Sequence, residues 1–172
     1  MSEQWIISDT HFSHANFLKF KDLDGNLVRP FADIDEMDEL MVNNWNSVVK
    51  KGDKVRHCGD VFFGDKDRFK KLWGRLNGKK TLIVGNHDDI KFLASGGFFS
   101  AVYESRDIRA LGLLFTHRPA HVSQMWDYSK DRPMRNIHGH IHEKPSPDGD
   151  YINVSVEAIN YTPVNIDDLR IY

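Results

Sequence analysis

Short apolar runs alternate with amphipathic segments through the first hundred residues. Trp5-Ile6-Ile7 reads as a buried strand that stops at Ser8-Asp9. Residues 33–51 read as a helix. Asp33 and Glu36 make a capping box; Ile34, Met37, Leu40, Met41, Trp45 and Val48 share one face; Gly52 is a natural stop. Residues 55–58 form a second strand ending at Gly59-Asp60, and residues 67–76 a second helix with Phe69, Leu72, Trp73 and Leu76 inward. Residues 81–84 give a third strand ending at Gly85-Asn86, and residues 90–94 a short helix. The second half is richer in strands, predicted at 99–103, 108–110, 111–116, 136–138, 151–156 and 164–166. The least regular stretches are 21–29, 120–133 and 143–150. Strand–helix alternation followed by clustered strands predicts α/β layers built on a mixed sheet or two stacked sheets.

The chain has 172 residues, which fits one domain spanning 1–172. That length buries roughly 70% of the unfolded chain's surface. A net charge of −2 and the absence of any basic stretch make long duplex DNA a poor partner. Cys58 is the single cysteine, so no internal disulfide forms and a cysteine-rich zinc site is excluded. No signal peptide is visible, and no apolar run approaches the ~20 residues that span a bilayer. A reducing cytoplasm is the expected compartment, with no membrane partner.

Five apolar runs end in residues that ligate metals: Asp9-Thr10-His11, Gly59-Asp60, Gly85-Asn86-His87-Asp88, Thr116-His117 and Gly139-His140-Ile141-His142. Side chains just past strand ends point into a common crevice, the usual place for a site in open α/β sheets. Imidazole nitrogens with carboxylate oxygens suit Mn, Fe, Zn or Ni, and an Asp can bridge two ions. Two divalent ions ~3.5–4 Å apart acidify a bridging water, neutralise phosphate oxygens and fix the line of attack. A non-ligand histidine then serves as acid for the leaving oxygen. His87, directly after Asn86, is placed for that work, and Asp88 is placed to hold its imidazole in one tautomer; these two are the expected catalytic residues.

The five motifs in this order, from residue 9 to 142, resemble those of the calcineurin-like metallophosphoesterases, in particular their small bacterial and phage-type members, and the resemblance covers about residues 5 to 166. The resemblance implies a four-layer α/β/β/α sandwich of two mixed sheets flanked by helices, with a binuclear metal centre. It implies that Asp9, His11 and His142 hold one ion, that Asn86, His117 and His140 hold the other, and that Asp60 bridges them. It implies that His87 is the catalytic histidine of a phosphoesterase acting through a bridging hydroxide, on diesters in preference to monoesters, with Mn foremost among the divalent ions. A small phosphate ester, a nucleotide or a short nucleic-acid end suits such a site. Two positions depart from the family's pattern: Cys58 before Gly59, open to oxidation near the metals, and Arg118 after His117, able to alter substrate choice.

Other residues carry weaker readings. His14 either contacts phosphate from the first loop or faces solvent at a helix start; Arg118 either forks onto a substrate phosphate or makes a surface ion pair. His57 and His138 read as packed, hydrogen-bonded histidines, His121 and Arg135 as surface residues, and Trp45 and Trp73 as core. Trp126 and Tyr128 read either as local packing of a long loop, the favoured reading, or as rings that stack on a base or aryl group. Asn153 and Ser155 are placed to orient the last His loop by hydrogen bonds, while Glu157 and Asn160 have no reading. The alternative function is a metal-binding scaffold acting through a protein partner, which a complete ligand set disfavours.

Overall fold

A computed structural model describes residues 2–170. In chain order the regular elements are β1 (Gln4–Ile7), α1 (Ile34–Val48), β2 (Lys54–His57), α2 (Lys66–Trp73), β3 (Lys79–Ile83), α3 (Ile90–Ser95), β4 (Val102–Tyr103), β5 (Arg106–Ile108), β6 (Leu113–Phe115), β7 (Trp126–Asp127), β8 (Arg132–Pro133), β9 (Arg135–His138), β10 (Tyr151–Asn153) and β11 (Val164–Asn165). Two mixed sheets form. The first has the order β11-β1-β2-β3-β4, parallel except for the edge strand β11. The second has the order β10-β9-β6-β5, parallel except for β5.

The period of two along each strand separates the layers. Ile6, Cys58 and Ile83 of the first sheet meet Leu113, Phe115 and Ile137 of the second in the core between the sheets. Ile7, Val55 and Leu82 point the other way, into a larger core with Met37, Met41 and Trp45 of α1, Phe69 and Trp73 of α2, and Leu93 of α3. The predicted sandwich of two mixed sheets is therefore the observed α/β architecture, with helices over the first sheet. The second sheet's outer face, at Leu114, is covered by Ala120, Met125 and Met134 from the 120–134 segment. That segment carries a 3-10 turn and the β7–β8 ribbon in place of an α-helix.

Boundaries shift for local reasons. Asp33 caps α1 by accepting the Glu36 N–H, but the Glu36 carboxylate reaches back to the Ala32 N–H, one residue before the cap. The helix stops at Val48 because Val49 is already extended. Asp65 caps α2, which ends at Trp73. The predicted strand over 99–103 shrinks to β4 because Phe98 and Phe99 turn into the helix-side core. Residues 109–111 form a 3-10 turn ended by Gly112 at φ 67°, so β5 lies earlier and β6 starts later than expected. Among the described residues, no helix is long and apolar enough to cross a membrane.

The two sheets join at one corner. The Ser8 N–H donates to the Val154 carbonyl, and the Val156 N–H donates to the Ser8 carbonyl. That seam brings the end of β1 beside the end of β10, which sets where the site lies.

Candidate metal centre

Each motif is tied to its neighbour by a hydrogen bond that involves the main chain. Asp9 N–H donates to the Gly59 carbonyl (2.9 Å) and His11 N–H to the Asp60 carbonyl (3.1 Å). His87 N–H donates to Asp60 Oδ1 (2.9 Å), Gly139 N–H to the His117 carbonyl (2.8 Å), and His140 N–H to Asp9 Oδ2 (2.9 Å). Five loops from two sheets thus form one closed network.

Two clusters result. Donor atoms of Asp9, His11 and His142 lie within 4.8 Å of one another, as do those of Asp60, His117 and His140. Asp60 stands between them, with Oδ2 3.6 Å from His11 Nε2 and 3.4 Å from His117 Nε2. Asn86 Oδ1 lies 3.0 Å from His117 Nε2 and adds a neutral oxygen to the second cluster. Asp9 Oδ1 and His11 Nε2 are buried with no hydrogen-bond partner among the described residues, although both belong to the first cluster. Leaving such atoms unpaired costs about 1–3 kcal/mol each unless a cation completes them. The donor set, nitrogen and oxygen without thiolate, fits divalent metal ions.

Neighbouring groups aim these donors. His117 Nδ1 donates to the Cys58 carbonyl at 2.8 Å, which aims Nε2 at the second cluster, where it would offer a lone pair to a cation that displaces its proton. His142 Nδ1 lies 3.2 Å from Glu157 Oε1, turning Nε2 toward Asp9. Glu157 is in turn gripped by Arg29 Nε at 2.7 Å, and the same fully buried guanidinium donates to the carbonyls of Asp9 and Thr10. Asp9 Oδ2 accepts from Ser155 Oγ and the His140 N–H, so only Oδ1 faces the cluster. Partners of this kind fix the orientation of metal-binding imidazoles and carboxylates.

The electrostatics suit a cation. Burial pushes the Asp60 carboxyl up, but the His117 hydrogen bond and charge and the His87 N–H outweigh it and hold Asp60 well below the usual carboxylate range. Burial, with the nearby Arg29 charge, depresses His11; burial, with His117 and Arg118, takes His140 down to about 4. Both therefore keep neutral nitrogens at physiological pH. Burial also lowers His117 and His142, yet their carboxylate partners raise each above its ordinary value. A bound metal would have to displace those protons.

Backbone strain concentrates here. Of the nine non-glycine residues with positive φ among the described residues, five are candidate ligands: Asp9, His11, Asp60, His140 and His142. Each left-handed residue costs of order 1 kcal/mol and persists only where surrounding contacts impose it. Gly59, at φ 99°, could not carry a side chain: a Cβ would lie 2.6 Å from His117 Nδ1. At Gly139 a Cβ would collide with Ser8 Oγ and Asp9 Oδ2.

The remaining expectations sort cleanly. His87 is exposed at the rim, its ring 6.1 Å from that of His11. The expectation that Asp88 orients the His87 imidazole is corrected. The Asp88 carboxylate accepts the main-chain N–H groups of Asp60, Val61 and Gly85, so it pins the two loops that carry Asp60 and Asn86. His14 is half-buried among aromatic rings, neither at a ligand position nor facing bulk solvent, and Arg118 is exposed beyond His117. Cys58 is fully buried with its thiol pushed up to about 12 by burial, so it is not the oxidisable group its position suggested. His57 and His138 are buried and hydrogen-bonded, and Arg135 pairs with Asp150 at 3.4 Å, as expected. Tyr128 is 81% exposed and does not pack. Asn153 holds the His142 carbonyl and Ser155 holds Asp9, as the sequence suggested.

Arg29 and Glu157 escaped sequence reading. Each is a lone charge in an irregular stretch, with no periodicity or motif to mark it. The one available signal was a charge bounded by apolar neighbours, as in Leu27-Val28-Arg29 and Val156-Glu157-Ala158.

A cavity of about 420 Å³ opens beside the first cluster. His11, His142 and His87 form its inner wall, and aromatic side chains form the rest.

No protein-family model matches the chain. It is 34% identical to the uncharacterized protein MJ1445 of Methanocaldococcus jannaschii, over 97% of this chain and 89% of that protein. It is 33% identical to the gene 66 protein of Mycobacterium phage L5 over 51% of this chain and 41% of that one. The crystal structure of the protein of unknown function AQ665 from Aquifex aeolicus superposes with a TM-score of 0.72 at 27% identity, covering 98% of both chains.

Proposed function

The chain belongs to the family of the uncharacterized protein MJ1445, and from its five motifs and two donor clusters we propose that it is a calcineurin-like metallophosphoesterase that hydrolyses phosphate esters, diesters foremost, at a binuclear centre. The observation that carries this reading is the position of Asp60, whose Oδ2 lies within 3.6 Å of His11 Nε2 and 3.4 Å of His117 Nε2. One carboxylate oxygen thereby serves both clusters.

Asp9, His11 and His142 would hold one ion, and His117, His140 and Asn86 the other, with Asp60 within reach of both clusters. Mn is the proposed metal, and Fe, Zn or Ni suit the same donors. When bound, such a pair acidifies water and neutralises phosphate oxygens. The chain's own contribution is position and proton transfer. Arg29 and Glu157 lock the His142 ring, and Ser155 locks Asp9. His87 is tied through its N–H to Asp60 and stands exposed at the rim; as a water oxygen bonds to phosphorus and the P–O bond to the ester oxygen breaks, its imidazolium would give that leaving oxygen a proton. The diester preference follows the family resemblance; the cavity beside His87 leaves room for an ester substituent.

The test uses metal-stripped protein reloaded with Mn. Bis-p-nitrophenyl phosphate should be cleaved faster than the monoester. His87→Ala should lose about 10²–10⁴-fold in rate while keeping its metal. Silence on both esters with Mn, Ni, Zn and Mg, in protein that holds metal, would overturn the enzyme reading in favour of a metal-binding scaffold.

A further inference from the structure

We propose that the aromatic wall of the cavity, built from His14, Phe17, Phe20 and Phe63, is a subsite for a planar aromatic group, a nucleobase or aryl ring, esterified to the phosphate at the metal centre. This rests on the phosphoesterase reading and narrows its substrate class. Position is the first argument. The wall shares its cavity with His11 and His142 of the first cluster and with His87, so a substituent on a bound phosphorus has this space beside it.

Chemistry is the second argument. Among the described residues no lysine, arginine, aspartate or glutamate lines the cavity, and away from the histidines its wall is phenylalanine. Phe20 and Phe63 are 47% and 48% exposed, while the core phenylalanines Phe12 and Phe69 are fully buried. Large apolar side chains held open beside a polar centre contribute little to folding and offer area to a ligand.

Geometry selects a ring over a flexible chain. His14 is the hub, meeting Phe17, Phe20 and Phe63 edge-on at centroid distances of 5.5, 5.9 and 4.6 Å. Phe63 continues the wall to the His87 ring at 6.5 Å. Rings fixed at such angles present flat faces, on which another ring stacks with little loss of rotamer freedom. The wall is also rigid with the centre, because the Arg29 guanidinium that holds Asp9 and Glu157 lies 4.0 Å from the Phe17 ring centroid.

The experiment is calorimetric binding to Mn-loaded protein of inorganic phosphate, ribose 5-phosphate, cyclohexyl phosphate, phenyl phosphate and adenosine monophosphate. The two aromatic esters, phenyl phosphate and adenosine monophosphate, should bind about tenfold more tightly than ribose 5-phosphate, the scale of one base–aromatic stack. The double variant Phe20→Ala, Phe63→Ala should erase that advantage and leave the affinity for inorganic phosphate unchanged. Phe63→Trp, which keeps a ring, should retain it. Equal binding of ribose 5-phosphate and adenosine monophosphate by protein that binds phosphate would overturn the subsite alone. So would equal binding of cyclohexyl and phenyl phosphate, or an advantage that survives the double variant. Failure to bind inorganic phosphate at all would overturn the phosphoesterase reading and the subsite with it.

Discussion

At the residue scale, Glu157 and Asp9 show how a metal donor is made by what surrounds it. Glu157 is 4% exposed at its side chain and divides one oxygen between Arg29 and His142. Glu157→Gln keeps the size but loses the charge that orients His142, so affinity for the first ion should fall about 10–100-fold, read by Mn titration. Gly139→Ala sets a methyl group against Ser8 and Asp9. It should lower stability by about 1–3 kcal/mol in denaturant melts and weaken metal binding as the loop shifts. His57 tests the buried polar layer. Gly59 N–H donates to its Nδ1 at 3.2 Å, so Nε2 carries the proton and donates to Thr10 Oγ1 at 2.9 Å. Burial lowers its pKa to about 3 from the ordinary 6.5. Between those values the unfolded chain binds more protons than the folded one, so stability falls as pH drops from about 6.5 towards 3. In chelator, His57→Gln should show a shallower acid loss than the parent; an equally steep curve would put the loss elsewhere. That Asp9, Asp60, His117 and the other candidate ligands gather in one place was legible because each closes an apolar run. Arg29, Glu157 and the true work of Asp88 were not, since a buried ion pair or a carboxylate bonded to main-chain N–H groups leaves no pattern in a linear sequence.

At the element scale, strands supply direction and helices supply cover. The parallel strands β1, β2 and β3 all end on the side where the ligands gather, and α1 reinforces that side directly. Asp38 on α1 is buried, bonds the Ser13 N–H at 3.1 Å and is held by Arg68 of α2 at 2.8 Å. The loop that carries His11 is thereby fastened to two helices. Asp38→Ala should leave the Ser13 N–H unpaired and destabilise the protein by about 1–3 kcal/mol. The exposed cap variant Asp33→Ala should cost about 1 kcal/mol and leave metal affinity unchanged, which separates helix stability from site geometry. The helices were legible because their caps and apolar faces are local. The ends of β4, β5 and β6 were not, because Phe98 and Phe99 follow the tertiary core and Gly112 admits a left-handed turn that apolar content does not reveal. The cover of the second sheet was missed for the same reason: segment 120–134 packs Met125 and Met134 through irregular backbone.

At the scale of the whole molecule, the two sheets meet at Ser8 and Ser155, and the centre spans that seam. Asp9 and His11 follow a strand of the first sheet and His140 and His142 one of the second, so a bound metal would cross-link both layers. Metal at 100 times its dissociation constant should therefore add about 2.7 kcal/mol of stability, and chelator should remove it. A melting temperature indifferent to Mn and to chelator would contradict that coupling. In the proposed centre, five strand-end motifs together hold two ions around Asp60. The most direct measurement is Mn titration of metal-free protein followed by electron paramagnetic resonance. The account predicts two ions per chain with an exchange-coupled spectrum, as expected for ions ~3.5–4 Å apart, and loss of the coupling in Asp60→Asn. A single ion per chain, or two ions with the spectrum of isolated Mn, would contradict it.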